Sequence, residues 1–409
     1  MVLGNFMGDR RVIPVVMFHS VGAENLDWVF NYISEPLSNF EAKIRALKEG
    51  GFHFITWSQL YKYMRGEVAL MLPSILLTFD DGYLDNWVYV YPIMRKYDAK
   101  GTIFVSSDFI DPSVGCRPTL DDVNAGRCSQ EELDISGFLN LSEMRAMEES
   151  GVMDIQSHAA THTWYFKSDK VIDFCLPNDR SYPWMAWNSR PERKPFYMRE
   201  DQTGFVRLGT PIYEYGKSLA VTRYIPPAEI EDDMANYVEQ QGGERFFQQE
   251  NWRDCLFEKY EEISRTMDCQ GRYESEEERR IRTRDELARS KRILEEGLGK
   301  SVDFICWPGG GYDKLTLEEA KAVGYKAWTL GSSDQSDFRN VPGANAEQVK
   351  RIGSSIQQYW RGQSIGYTNG IEFYCGVRRH QGSVCHKWLG RLLKSARIVG
   401  SRFQGIRSA

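Results

Sequence analysis

The alternation of short apolar runs with helically spaced segments constrains this fold more than any other feature. Val12 to Phe18 is a strand-like run, and LSNFEAKIRALKEGGF then spaces Phe40, Ile44 and Leu47 at helical intervals before Gly50-Gly51, a usual helix stop. SILLTF reads as a second buried strand, WVYVYPIMRKYDA as a helix, and KGTIFVSSDFI as a third strand. Such strands pair in parallel through right-handed crossovers, which leaves a doubly wound sheet or a barrel.

Residues 112–137 interrupt the pattern, and LNLSEMRAMEESG resumes it as a helix with Ser142 as the expected cap and Gly151 as the stop. VMDIQSHAATH follows as a strand running into a turn. From about Trp164 to Thr283 the chain is aromatic-rich, proline-studded and then heavily charged. A stretch this long needs structure of its own or serves as a cover. LEEAKAVGYKAWTLG gives one more helix and strand, and EQVKRIGSS a short further element.

The N-terminal apolar segment is short and lacks a small-residue cleavage pattern, so export by the Sec route is not expected. The eight cysteines are scattered without a CxxC pair, which fits a reduced, cytoplasmic setting. A net charge of −6 argues against a nucleic-acid partner. One local exception is basic: no acidic residue follows Glu372, whereas Arg378, Arg379, Lys387, Arg391, Lys394, Arg397, Arg402 and Arg407 do.

Asp80-Asp81-Gly82 directly follows SILLTF, where Asp-Gly alone would be ordinary turn chemistry. His158 and His162 stand four apart, one helical turn, so both imidazoles can face one point. Both segments end predicted parallel strands, where α/β sheets and barrels build their sites. Two histidines and one carboxylate make a three-ligand metal site with an open position, leaving the second carboxylate as a general base.

These residues resemble the polysaccharide deacetylase family, carbohydrate esterase family 4 with the NodB homology domain. TFDDG resembles its first motif and SHAATH its second. The resemblance implies Asp80 as general base, Asp81, His158 and His162 as ligands of a divalent metal, zinc before other transition metals, and a distorted (β/α) barrel. ICWPGGGYD (residues 305–313) is similar to the third motif, which maps an oxyanion-stabilising amide onto Gly309; Cys306 stands where many members carry arginine. Trp307, Tyr312 and Trp328 are the expected substrate contacts. The family's Leu-x-His acid is missing from VKRIGSS, whereas IPVVMFHSVG resembles the strand end of poly-N-acetylglucosamine deacetylases, which makes His19 the candidate acid.

The resemblance divides the chain into a barrel at 12–162 and 284–353, an insertion at 163–283 flanking or covering the site, and a basic extension at 354–409. It implies removal of N-acetyl groups from an amino-sugar unit of a bacterial surface polysaccharide or its lipid-linked precursor. The alternatives are a catalytically silent carbohydrate binder and a deacylase for O-acetyl or another small acyl group. The run EEERRIRTRDELARSKRILEEG reads as a solvated helix face. GGG at 309–311 lacks the Lys-Ser or Lys-Thr of a phosphate loop, and no Gly-x-Ser-x-Gly elbow occurs. In HKWLGRLLKSARIVG, Trp388, Leu392, Ala396 and Val399 share one face. The expectation is that this face packs on the barrel, with peripheral membrane contact as the alternative.

Overall fold

The computed structural model describes residues 8–266, 271–331, 338–354, 357–360 and 363–407. Strand β1 (Val15–Phe18) leads to α1 (Leu37–Glu49), then β2 (His53–Ile55), α2 (Trp57–Met64), β3 (Ser74–Phe79), α3 (Tyr91–Lys96), β4 (Gly101–Val105), α4 (Leu141–Glu149) and β5 (Met153–Ser157). β6 (Trp164–Phe174), α5 (Pro183–Ser189), β7 (Pro211–Lys217), α6 (Ala228–Gln240) and α7 (Trp252–Thr266) follow. The chain then forms α8 (Glu276–Leu298), β8 (Phe304–Ile305), α9 (Lys314–Val323), β9 (Ala327–Thr329), β10 (Gln348–Val349), β11 (Ile352–Gly353), α10 (Gly370–His380) and α11 (Val384–Arg407).

Among the described residues nine parallel strands form one sheet in the order β10-β9-β8-β5-β4-β3-β1-β11, with β2 on β3. β2 pairs the first half of β3 and β1 its second half. The two ends of the path are one chain segment: Gln348 and Val349 pair with β9, and Ile352 and Gly353 pair with β1. That handover closes the sheet into a distorted barrel. Buried Asn340 fixes the gap, accepting from Lys350 N–H at 3.0 Å and donating to the carbonyls of Lys350 and Ile13 at 2.9 and 3.0 Å.

Strand alternation sorts the core into two clusters. Val15, Leu76, Phe104, Phe304, Cys306, Ala327 and Val349 meet inside the barrel, where α2 inserts Trp57 near the start of β4. Val16, Leu77, Ile103, Ile155, Ile305 and Trp328 point outward against the helices. At roughly 1.5–3 kcal/mol per fully buried large side chain, these two layers supply the main drive for closure.

The helix after the 112–137 interruption is capped by Asn140 and not by Ser142. Asn140 Oδ1 accepts from Glu143 N–H at 3.0 Å and Glu143 returns the bond to Asn140 N–H, a reciprocal box, while Ser142 Oγ accepts from Gly115 N–H. Residues 163–266 build their own packing: β6 and β7 are antiparallel, and α6 and α7 close over Phe174, Met234, Val238 and Leu256. The boundary expected at 284 falls inside α8, which runs from Glu276 as one helix.

The charged run in α8 is more than a solvated face. Thr283, Glu286, Leu287 and Ser290 are buried, and Arg289 pairs with Asp108. The basic extension also divides in two: α10 enters the core through Phe373, Cys375 and Val377, while α11 lies outside. No helix among the described residues is long and apolar enough to cross a membrane.

Candidate active site

The site sits where β1, β3, β5, β8 and the closing segment end together. Asp80 N–H still donates to Phe18 carbonyl at 3.0 Å, extending the ladder past β3, and the backbone then reverses through Asp81 (φ 75°) and Gly82 (φ 79°). A left-handed non-glycine residue costs on the order of 1–3 kcal/mol, so the surrounding contacts must hold Asp81 there. At Gly82 a Cβ would approach Val105 Cγ2 to 3.2 Å, so the turn takes glycine for space as well as for φ. The reversal sends the two adjacent carboxylates to different partners.

Asp81 faces the histidine pair: its Oδ1 lies 3.2 Å from His158 Nε2 and 3.1 Å from His162 Nε2. The loop after β5 makes this convergence without a helical turn, because Ala159 and His162 have φ of 56° and 40°. His158 Nδ1 lies 2.8 Å from the Cys306 carbonyl, which can only accept, so Nδ1 carries a proton and Nε2 is the ring atom turned toward Asp81. Asp81 Oδ1 is buried and makes no hydrogen bond. Three donor atoms within 4.8 Å and an orphaned carboxylate oxygen fit a divalent cation.

Asp80 faces Arg351. Arg351 Nη1 donates to Oδ1 at 2.6 Å and Nη2 to Oδ2 at 2.8 Å, a bidentate pair from the gap between β10 and β11. Burial pushes the Asp80 carboxyl up, but Arg351 and the nearby imidazoles outweigh it and hold the group below the usual carboxylate range. Cys306 Sγ accepts from Arg351 Nη2 at 3.0 Å, and burial raises its thiol well above the usual range, so the thiol stays neutral. His19 Nε2 lies 3.9 Å from Asp80 Oδ2. Burial pulls the imidazole of His19 down against the opposite pull of Asp80 and Asp81.

A cleft of about 610 Å³ opens over these groups, lined by His19, Asp80, Asp81, His158, His162, Arg351 and Gly309. Its walls are aromatic: Tyr83, Phe109 and Phe138 come from barrel loops, and Trp164, Trp187 and Tyr197 from the insertion. The loop carrying the histidines is braced from α8, where Glu286 accepts from Thr161 Oγ1 at 2.7 Å and Ser290 Oγ donates to Ala159 carbonyl at 2.8 Å. Buried Lys194 donates to Thr161 carbonyl at 2.8 Å.

Gly309 (φ 54°) lies in the turn Pro308–Gly310, and a Cβ there would come within 2.4 Å of Lys217 Nζ. Of the expected substrate contacts, Trp307 lines the cleft. Tyr312 does not; it stacks on Trp307 at 5.2 Å. Trp328 is a correction: alternation turns Thr329 into the cleft and Trp328 outward, buried beneath Lys321.

Sequence reasoning missed Arg351, and it expected the aromatic-rich insertion to flank or cover the site without naming Trp164, Trp187 or Tyr197 as its wall. The available signal was indirect: with Cys306 where an arginine is usual, buried Asp80 needed a cation from another strand end.

Residues 71–184 and 264–328 match the family model described as polysaccharide deacetylase. The chain is 28% identical over 123 residues to YxkH of Bacillus subtilis, named for the same family, covering 30% of this chain and 40% of that protein. It is 25% identical over 149 residues to the poly-beta-1,6-N-acetyl-D-glucosamine N-deacetylase of Escherichia coli K12, covering 36% of this chain and 20% of that protein. The chain therefore spans well under half the length of these curated relatives.

Two solved structures share the fold. The BpsB deacetylase domain from Bordetella bronchiseptica superposes with a TM-score of 0.50 at 18% identity, covering 85% of this chain and 97% of that one. A de-N-acetylase from Aggregatibacter actinomycetemcomitans gives 0.51 at 17% identity, covering 83% and 94%. The carboxylate pair and the histidine pair meet at the mouth of this barrel, and the chain carries a polysaccharide deacetylase domain over residues 71–184 and 264–328.

Proposed function

We propose that this chain hydrolyses N-acetyl groups from amino-sugar units of a surface polysaccharide or its lipid-linked precursor, with a poly-β-1,6-N-acetylglucosamine type of glycan as first candidate. The observation that carries this reading is the division of the FDDG carboxylates, Asp80 to Arg351 and Asp81 to two imidazoles. Asp81, His158 and His162 would hold the metal, zinc by the chemistry of the donors. When bound, it supplies Lewis-acid polarisation of the acyl oxygen and acidifies a water.

In this reading Asp80, kept anionic by Arg351, removes the proton of the attacking water. The Gly309 amide donates to the oxyanion as the acyl carbon becomes tetrahedral. His19, close to Asp80, protonates the amine as the C–N bond breaks, giving acetate and a free amino sugar. The aromatic walls take the apolar faces of the sugar and limit water. The proposal includes a reducing, cytoplasmic setting, supported by the free cysteines among the described residues; Cys269 lies outside them.

The test is acetate release from β-1,6-linked N-acetylglucosamine oligomers. Acetate and free amine are expected in equal amounts, lost on chelation and restored by zinc. No acetate with metal restored would leave a silent binder, and cleavage only of acetyl esters would leave an O-deacylase.

A further inference from the structure

The helix α11 carries an amphipathic pattern that the proposed chemistry does not use, and its apolar stripe faces away from the fold. The expected packing of that stripe on the barrel is not what is found: Trp388 is 58% and Leu392 68% exposed, with Val384 and Leu389 exposed beside them. The side chain of Val399 lies outside the described residues. The face turned inward is instead His386, Gly390, Leu393 and Arg397. Arg397 makes a bidentate pair with Glu372 of α10 at 2.9 Å, and a Cβ on Gly390 would lie 3.3 Å from Cys375 Cβ, so this docking is close and directional.

A helix normally buries its apolar arc and presents its polar one. Here the arc of Val384, Trp388, Leu392 and Leu389 meets solvent, bordered along one side by exposed Lys387, Arg391 and Lys394. The Arg391 guanidinium sits 5.0 Å from the Trp388 ring centroid. No Asp or Glu occurs after Glu372 in the sequence, although the whole chain carries a net charge of −6. Cations unmatched by any acidic residue of the same helix thus border an exposed apolar stripe.

From this juxtaposition we infer that α11 is a monotopic anchor that lays its Val384–Trp388–Leu392 stripe on an anionic lipid surface. An anionic bilayer satisfies both halves of the pattern: the apolar arc enters the headgroup boundary, where an indole is favoured, and the basic border meets lipid charge. A second copy of the chain fits less well, because two-fold pairing of the stripes would bring two basic borders together without a carboxylate on either helix. The inference is independent of the deacetylation proposal.

The test uses the full chain in sedimentation with phosphatidylcholine vesicles, with and without phosphatidylglycerol. Binding is expected only with the anionic lipid, reduced about tenfold or more by Trp388→Ser with Leu392→Ser and weakened by added salt. Lys387→Gln, Arg391→Gln and Lys394→Gln together should remove the salt-sensitive part, with circular dichroism and acetate release unchanged. Absence of vesicle binding, or binding untouched by the serine variant, would overturn the inference. So would a concentration-dependent dimer, in sedimentation velocity without lipid, that the serine variant abolishes.

Discussion

Asp80→Asn is expected to lower acetate release by about 10²- to 10⁴-fold, the range for losing a positioned general base, with metal uptake retained at the proposed site. The amide is nearly isosteric and can still accept one hydrogen bond from Arg351, whose Nη1 and Nη2 lie 2.6 and 2.8 Å from the Asp80 oxygens. It cannot take a proton. Asp80 is engaged by Arg351, His19 and the Cys306 thiol, whereas Asp81 faces both imidazoles. Asp80 also lies close enough to His158 and Cys306 to share an ion, but Arg351 occupies both of its oxygens, so the loss should fall on kcat with elemental metal content unchanged. A variant with near-normal turnover would remove Asp80 from the role of base.

Arg351→Met has the larger structural effect. The pair has side-chain exposures of 11% and 4%, and removing Arg351 leaves the buried Asp80 charge with only the Cys306 thiol at 3.5 Å and the His19 imidazole at 3.9 Å in place of a bidentate cation. Breaking a buried pair this way costs on the order of 3–5 kcal/mol, which urea unfolding monitored by tryptophan fluorescence would read directly. Turnover should fall as well, because the carboxyl loses the cation that opposes its desolvation. Adding Asp80→Asn to Arg351→Met should restore most of the stability and none of the activity, a non-additivity expected of directly contacting groups. Additive stability losses would mean that the two side chains do not depend on each other.

The same pair shows where the sequence was legible and where it was not. The barrel's strands announce themselves because parallel strands are covered on both faces, so SILLTF and GTIFV read as apolar runs with helices between them. β2 did not, since His53–Ile55 is three residues long, and the closing segment was legible in EQVKRIGSS only as a short further element, since β10 and β11 have two residues each. TFDDG and SHAATH were visible as local motifs, although the His158–His162 convergence depends on left-handed backbone at Ala159 and His162 and not on a helical turn.

Arg351 lies 271 residues from Asp80, a separation at which no local pattern speaks. Trp328 was misplaced for the opposite reason: an aromatic at a strand end is easily seen, but which face it takes depends on register, and here Thr329 faces inward. In α11 the stripe was legible as a stripe, whereas its outward direction follows from the Arg397–Glu372 pair, a contact with a neighbouring helix.

The central claim is that two adjacent carboxylates have separate duties, one holding metal and one moving a proton. Zinc titration by calorimetry of the wild-type chain, Asp80→Asn and Asp81→Asn tests it most directly. The account predicts wild-type-like affinity for Asp80→Asn and a loss of at least about tenfold for Asp81→Asn, which removes the only carboxylate of the donor trio. Equal loss in both variants, or loss confined to Asp80→Asn, would contradict it.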